Sequence, residues 1–260
     1  IGLTDVTTTA SGIEHTVARK TDGTVWSWGN NSKGQLGDGT TSKQATAVQV
    51  DGLTDVTTLA AEAYVTMALK TDGTVWTWGD GNTTPTQVSG LTNITDIAIG
   101  DRHFVALKID GTVWTWGDNS YSQLGLGEEA GESQATPTQV GGLSGISAIG
   151  SGGFQTIAIG TDGTVWAWGD NSAGLLGDGT TTNRSTPLQL DTISDVSSIA
   201  PSSGHTIALK TDGTVWAWGD NFYGQLGDGT HTDRTTPVQV TGLTTVTAIT
   251  LCYHLSAAFE

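Results

Sequence analysis

Short stretches of alternating apolar and polar residues recur along the whole chain, always in one order. The first of a set reads D-V-T-T-L-A (Asp55–Ala60) and alternates as a half-buried strand should. The second reads H-T-I-A-L-K (His205–Lys210). A T-D-G or I-D-G turn then supplies the positive-φ residues of a tight hairpin and leads into a third stretch, T-V-W-x-W-G. A fourth, T-P-x-Q-V-like (Thr236–Val240), closes the set, with Pro expected at its start, where no ladder donor is lost. The turn residues Asp22, Asp72, Asp110, Asp162 and Asp212 are spaced by 50, 38, 52 and 50 residues. A period of this size means one supersecondary unit repeated.

All ten tryptophans belong to the third stretches: Trp26/Trp28, Trp76/Trp78, Trp114/Trp116, Trp166/Trp168 and Trp216/Trp218. A period of two puts both members of a pair on one face of a strand. The residue between them is always small (Ser27, Thr77, Thr115, Ala167, Ala217), so the bulk of one sheet is expected to pack on a thinned face of the next. The predicted fold is all-β, a β-propeller of four-stranded antiparallel blades with five full repeats and a C-terminal half-blade. The expected repeats are about 1–51, 52–89, 90–141, 142–191 and 192–241, with a half-repeat at 242–260, all in a single domain, 1–260. The half-repeat reads as two strands, Thr245–Thr250 and His254–Phe259.

Composition narrows the partners. The net charge is −16 and Lys and Arg together number 10, so no basic stripe exists to neutralise phosphates, and nucleic acid is disfavoured. No apolar run approaches the ~20 residues that span a bilayer, and a soluble chain is expected. The single cysteine, Cys252, excludes an internal disulfide framework and a cysteine-based zinc site. Abundant Thr, Gly, Asp and Asn with few Lys suggests a secreted or surface-exposed microbial protein, so the expected location is extracellular or the cell surface. The chain opens at Ile1 rather than Met, so its N-terminus is read as processed, cut or not included.

The segment T-D-G-T-V-W-A-W-G-D-N-F-Y-G-Q-L-G-D-G-T (Thr211–Thr230), preceded by G-H-T-I-A-L-K (Gly204–Lys210), resembles the repeats of the regulator of chromosome condensation family. The resemblance runs through all five units. It implies a propeller, in the family usually of seven blades, and leaves function open. Members act in nucleotide exchange on a small GTPase, ultraviolet sensing, ubiquitin-ligase scaffolding and inhibition of β-lactamases by a secreted bacterial relative. Two of these fit poorly. The plant photoreceptor carries Trp in G-W-R-H-T motifs, where this chain has Glu14, Tyr64, Arg102, Phe154 and Gly204. The chromatin-bound exchange factor needs basic surface, which is missing here. Family propellers often close by pairing C-terminal first and second strands with N-terminal third and fourth strands. The C-terminus fits that role, whereas Ile1 opens on another first strand. The completing strands are therefore expected upstream in a longer parent or from a neighbouring molecule.

Repeats within one chain can be compared with each other, and the deviating positions are candidates for function. The connection between first and second strands varies most: Ile13-Glu14-His15, Ala63-Tyr64-Val65, Asp101-Arg102-His103, Gly153-Phe154-Gln155, Ser203-Gly204-His205 and Tyr253-His254-Leu255. In a meander it emerges at the same end as the third-to-fourth connection. That second loop is cut short in unit two (Gly79–Pro85) and acidic in unit three (Glu128, Glu129, Glu132). The predicted partner-binding residues are Glu14, Tyr64, Asp101, Arg102, Phe104, Tyr121, Glu128, Glu129, Phe154, Phe222, Tyr223 and Tyr253. Aromatic and charged loops on a rigid scaffold are how such surfaces are usually made.

Other chemistry is weaker. His15, His103 and His205 occupy equivalent positions too far apart for one ion, and a structural hydrogen-bonding role is expected. Asp118, Asp170/Asp178 and Asp220/Asp228 lack the order and closing Glu of a calcium loop, and turn capping explains them. Neither Asp101/His103 nor Glu14/His15 comes with a nucleophile motif, and Gly37–Thr40 has no Lys or helix behind it as a phosphate loop would. Asn30, Asn82, Asn93 and Asn183 match N-x-[ST]. No catalytic residue, metal or cofactor is expected. The reading is a non-enzymatic protein-interaction module that binds a protein partner. The alternative is a structural subunit of an extracellular polymer, joined to copies of itself through the half-blade.

Overall fold

The computed structural model describes residues 2–252 and 255–259. The first sheet is β1 (Val6–Ser11), β2 (His15–Lys20), β3 (Val25–Gly29) and β4 (Gln44–Gln49). The second is β5 (Val56–Glu62), β6 (Val65–Lys70), β7 (Val75–Gly79) and β8 (Asn82–Gln87). The third is β9 (Ile94–Ile99), β10 (His103–Lys108), β11 (Val113–Asp118) and β12 (Ser133–Gln139). The fourth is β13 (Ile146–Gly152), β14 (Gln155–Gly160), β15 (Val165–Gly169) and β16 (Arg184–Gln189). The fifth is β17 (Val196–Pro201), β18 (His205–Lys210), β19 (Val215–Gly219) and β20 (Arg234–Gln239), and a last pair is β21 (Ala248–Cys252) with β22 (Leu255–Phe259). Strands lie in chain order within each sheet, as the four-stranded meander requires. Among the described residues there is no α-helix, only a 3-10 turn at Glu128–Ala130. The chain divides into two compact units, Ile1–Ile99 and Gly100–Glu260.

The repeat pattern places the second and third strands correctly and misplaces some ends of the others. First strands begin one residue late because Asp55 and Asp195 take a left-handed φ, near 60°, that a strand cannot accommodate. Fourth strands begin earlier than expected, so Pro237 lies inside β20 rather than at its start. It is tolerated because β20 is an edge strand and its register with β19 slips between Ala217 and Gly219, where no regular ladder bond is lost. In the last pair β21 runs Ala248–Cys252, three residues beyond the expected start, and His254 lies outside the described residues.

The tryptophan pairs split into two roles. In the first unit Trp78 is 1% exposed and packs with Val17, Val25, Val50 and Leu53. In the second unit Trp218 is fully buried against Val165, Ala167, Leu176 and Leu190 of the preceding repeat. The small middle residue is thus the thinned face that receives the next tryptophan. The leading member of each pair stays half-buried, as does Trp28. Lys20, Lys70, Lys108 and Lys210 lie over the rings of Trp26, Trp76, Trp114 and Trp216, closest at 3.9 Å for Lys108. Burial of all ten rings is therefore corrected: the second ring is buried in four of the five repeats, and the leading ring is half-buried in all five and lysine-covered in four.

Three of the buried indoles also find a partner for the N–H. Trp78 Nε1 donates to the Gln35 carbonyl (3.0 Å), Trp168 to Gln123 (3.0 Å) and Trp218 to Leu175 (2.7 Å). The same carbonyls accept the hydroxyls of Thr66, Thr156 and Thr206. The acceptor is always the first residue of the Q/L-L-G segment. The glycine that follows lets the indole approach: a Cβ on Gly177 would lie 2.9 Å from Trp218 Nε1.

Candidate partner-binding loops

Two connections of each sheet meet at one end because a backbone bond joins them. The Asn30 amide donates to the Glu14 carbonyl, Asp80 to Tyr64, Asp118 to Arg102, Asp170 to Phe154 and Asp220 to Gly204. These bonds use main chain alone, so the side chains at the five variable positions carry none of that work.

In the first unit the turns between first and second strands expose Ile13, Glu14 and Tyr64. The turn Ala63–Tyr64 joins β5 to β6 with only two residues, since Glu62 pairs with Val65. Ala63 adopts φ 44°, and its carbonyl accepts the Ile13 amide, which seats Ile13 beside the tyrosine turn. Ile13 was not singled out from sequence, although it heads the variable triad. Glu14 accepts a bond from the Asn30 side chain. The shortened loop of unit two is a two-residue hairpin, Asp80-Gly81, both at positive φ, with Gly79 opposite Asn82.

In the second unit Tyr121 and Phe154 stack with centroids 4.5 Å apart, joining the long loop of the third sheet to the turn of the fourth. Asp101 donates its amide to the Gly153 carbonyl beside them, and Arg102 is exposed at φ 67°. Glu128 and Glu129 are exposed in the 3-10 turn, whose end is tied by Asn119 Nδ2 to the Gly131 carbonyl. Phe222 and Tyr223, 70% and 69% exposed, meet edge to face at 4.9 Å. Phe104 differs from the rest: it is a strand residue opposite Trp116, stacked on that ring at 5.3 Å. Tyr253 lies outside the described residues.

The histidines are buried parts of the scaffold. Thr66 donates its hydroxyl to Gln35, so it accepts from His15 Nε2 at 2.9 Å. The same relay runs from His103 Nε2 through Thr156 to the Gln123 carbonyl. Burial lowers the pKa of both imidazoles to about 4 and keeps them neutral; for His103 the nearby Asp118 only partly opposes it. In unit four Gln155 takes the histidine position and accepts from Thr206 through Oε1.

The aspartates of the third-to-fourth loops are already occupied. Asp178 accepts from Thr180, Asn171 and both Nε and Nη2 of Arg184. Burial would raise its pKa, but these bonds outweigh it and hold the carboxyl below the usual range. Asp228, with Thr230 and Arg234, is held near 2 by the same balance. Sequence reasoning missed the residue that organises this loop. Asn171 is fully buried and donates Nδ2 to Asp178, Thr180 and Thr182, while its Oδ1 accepts the Leu176 amide. The recurrent N-x-x-x-Q/L-L-G was the available signal.

A family model described as an RCC1-like domain matches residues 2–260. The chain belongs to the RCC1-like domain family. The RCC1-like repeats are 47% identical over 58 residues to the human probable E3 ubiquitin-protein ligase HERC6, a stretch covering 22% of this chain and 6% of that protein. They are also 47% identical over 49 residues to the regulator of chromosome condensation of Xenopus laevis, covering 19% of this chain and 11% of that one. The matched stretches therefore span about a tenth or less of these curated relatives. Among solved structures, human WBSCR16 superposes with a TM-score of 0.81 at 22% identity, over 94% of this chain and 69% of its own. Yeast RCC1 (Prp20), solved with Kap60 bound, gives 0.66 at 20% identity, over 98% and 80%. The likeness to these structures is one of fold. The RCC1-like chain is a β-propeller of four-stranded blades, five full repeats followed by a two-stranded half-blade.

Proposed function

We propose that this RCC1-like domain is a non-enzymatic protein-interaction module of a secreted or surface-exposed protein. It docks a partner protein through the variable loops. The observation that carries this reading is the Tyr121–Phe154 stack: two aromatics from separate sheets form one platform at the loop end, and Tyr121 is 43% exposed. Asp101, Arg102, Glu128 and Glu129 supply charge in the same unit. Rigid aromatics ringed by polar groups are the usual anchors of protein interfaces. Yeast Prp20 supports the class of partner: it is solved with Kap60 bound and described with its binding to Gsp1p and histones.

The test is affinity capture from native extracts with the immobilised domain, comparing wild type with Tyr64→Ala and with a Tyr121→Ala/Phe154→Ala double variant. The reading expects a protein retained by wild type and lost from the double variant, with thermal midpoints nearly unchanged. If the substitutions unfold the domain, the aromatics are core and the surface reading fails. Retention of the same proteins by folded variants refutes it equally.

A further inference from the structure

Repeats that share a scaffold show by comparison where one of them has lost a part. In four repeats the second strand ends on a lysine: Lys20, Lys70, Lys108 and Lys210. Each ammonium lies over the leading tryptophan of its own sheet, at 6.0, 5.8, 3.9 and 5.7 Å from the ring centroid. Those four indoles also donate Nε1 to a hairpin threonine, Trp26 to Thr24, Trp76 to Thr74, Trp114 to Thr112 and Trp216 to Thr214. The hairpin aspartate feels the same cation. Threonine bonds lower its pKa most, and the lysine charge adds to them at Asp22, Asp72, Asp110 and Asp212. One lysine thus serves a ring and a carboxylate together.

The fourth repeat keeps the ring and the carboxylate and lacks the cation. Gly160 ends its second strand, and among the described residues no lysine or arginine lies over Trp166. No backbone demand explains the glycine, which pairs with Ile146 and lies outside the left-handed region. Thr164 Oγ1 and Asp162 Oδ1 occupy the space of the lost side chain, 2.5 and 2.6 Å from where a Cβ on Gly160 would stand. The Thr164 hydroxyl is given to Asp162 at 2.7 Å, and the bond from Trp166 Nε1 to this threonine is missing. At Asp162 threonine bonds again lower the pKa most, with no lysine beside them. The connection into the sheet is stripped as well. Lys210 and Trp216 share a hollow of about 140 Å³ with Asp191, Thr192, Ile193 and Ser194. The same connection before the fourth sheet reads Gly141-Gly142-Leu143-Ser144, and a Cβ on either glycine would meet nothing within 4 Å.

We propose that Trp166 and Asp162 form a cation seat that takes the lysine side chain of a partner protein. The incoming ammonium lies over the Trp166 ring as Lys108 lies over Trp114, and shares its charge with the Asp162 carboxylate. Its aliphatic stem runs along the strip that Gly160 leaves bare. A cation over an exposed ring shifts an equilibrium by only about fivefold, too little to retain a free amine, so the seat fixes register within a larger contact. The net charge of −16 favours a basic segment as the source. The seat lies at the hairpin end of β14, whereas Phe154 precedes its other end, so it is independent of the variable loops.

The probe is the peptide acetyl-Gly-Lys-Gly-amide, titrated into the isotope-labelled 260-residue chain at constant ionic strength while NMR follows the ten indole N–H signals. Acetyl-Gly-norleucine-Gly-amide, of the same shape without the charge, is the control, and Trp166→Phe assigns the signal. The lysine peptide should move the Trp166 signal about threefold further than those of Trp26, Trp76, Trp114 and Trp216, whose rings already carry a cation. The norleucine peptide should not. Gly160→Lys supplies the cation from within and should abolish the response. Lys108→Gly should create a second responsive indole at Trp114, and Asp162→Asn should weaken peptide binding about twofold to fivefold. The two peptides on the unaltered chain decide the matter even if a variant misfolds. Equal shifts at all five leading indoles overturn the proposal, as does an equal response to norleucine. A folded Gly160→Lys variant that still responds at Trp166 overturns it too.

Discussion

Two buried imidazoles should make this domain lose stability in mildly acid solution, before any carboxylate does. His15 and His103 are 3% and 0% exposed, and burial lowers each pKa from 6.5 to about 4. In the unfolded chain they titrate near the ordinary value. Between those limits the unfolded state binds more protons than the folded one, so stability falls as pH falls through 6.5 and levels off below about 4. Taking the domain from pH 7 to pH 5 should cost about 2 kcal/mol per histidine, or about 4 kcal/mol for the two. Carboxylates do not blur this window. Asp228, held near 2, contributes stability above its unfolded value of 3.8 and loses it only as pH falls below that. The assay is urea denaturation at pH 7 and pH 5 and constant ionic strength, for wild type and His103→Gln. Glutamine is chosen because Gln155 already fills the equivalent site and bonds Thr206. The variant should lose about half of the pH 7-to-5 difference. A variant with the full wild-type difference would show that His103 is not held neutral by burial, and the argument would fail.

Four further outcomes follow from the scaffold. Asn171→Ala removes a buried side chain bonded to Asp178, Thr180, Thr182 and Leu176, and should cost about 3 kcal/mol in chemical denaturation. Asn119→Ala, whose side chain has only the Gly131 carbonyl and the Leu124 amide as partners, should cost about half as much. Gly177→Ala combines φ 77° with a Cβ 2.9 Å from Trp218, and should lower the thermal midpoint and shift tryptophan emission to the red. Lys108→Ala, by contrast, removes only the cation over Trp114 and should cost no more than about 1 kcal/mol.

The fold was legible because the repeat states it five times. Alternation gave the strands, D-G gave the hairpins, and the small residue between tryptophans gave the packing of sheet on sheet. Strand ends were less legible, because they depend on φ at single residues such as Asp55 and on register slips such as that beside Gly219. The candidate site was legible only as positions. That Tyr121 would meet Phe154 depends on two loops from different sheets, and no spacing within one loop encodes it. Phe104 shows the converse: an aromatic next to a variable loop lies in a strand, stacked on Trp116.

Why the variable position can vary at all follows from the bonds around it. Glu14, Tyr64, Arg102, Phe154 and Gly204 each lend the loop a carbonyl, which any residue supplies, and no recurring side-chain contact. In repeats one, three and four the very next residue is constrained in the opposite way. His15 and His103 relay a hydrogen bond through a threonine to the carbonyl shared with the next buried tryptophan, and Gln155 reaches Thr206 directly. Two adjacent positions therefore divide the labour of the loop. One couples successive sheets through a buried polar side chain in repeats one, three and four, whereas Val65 takes its place in repeat two; the other lends only its carbonyl and is free to change. A surface can then be rewritten residue by residue without disturbing the latch behind it, which is the physical reason this scaffold can host unrelated binding functions.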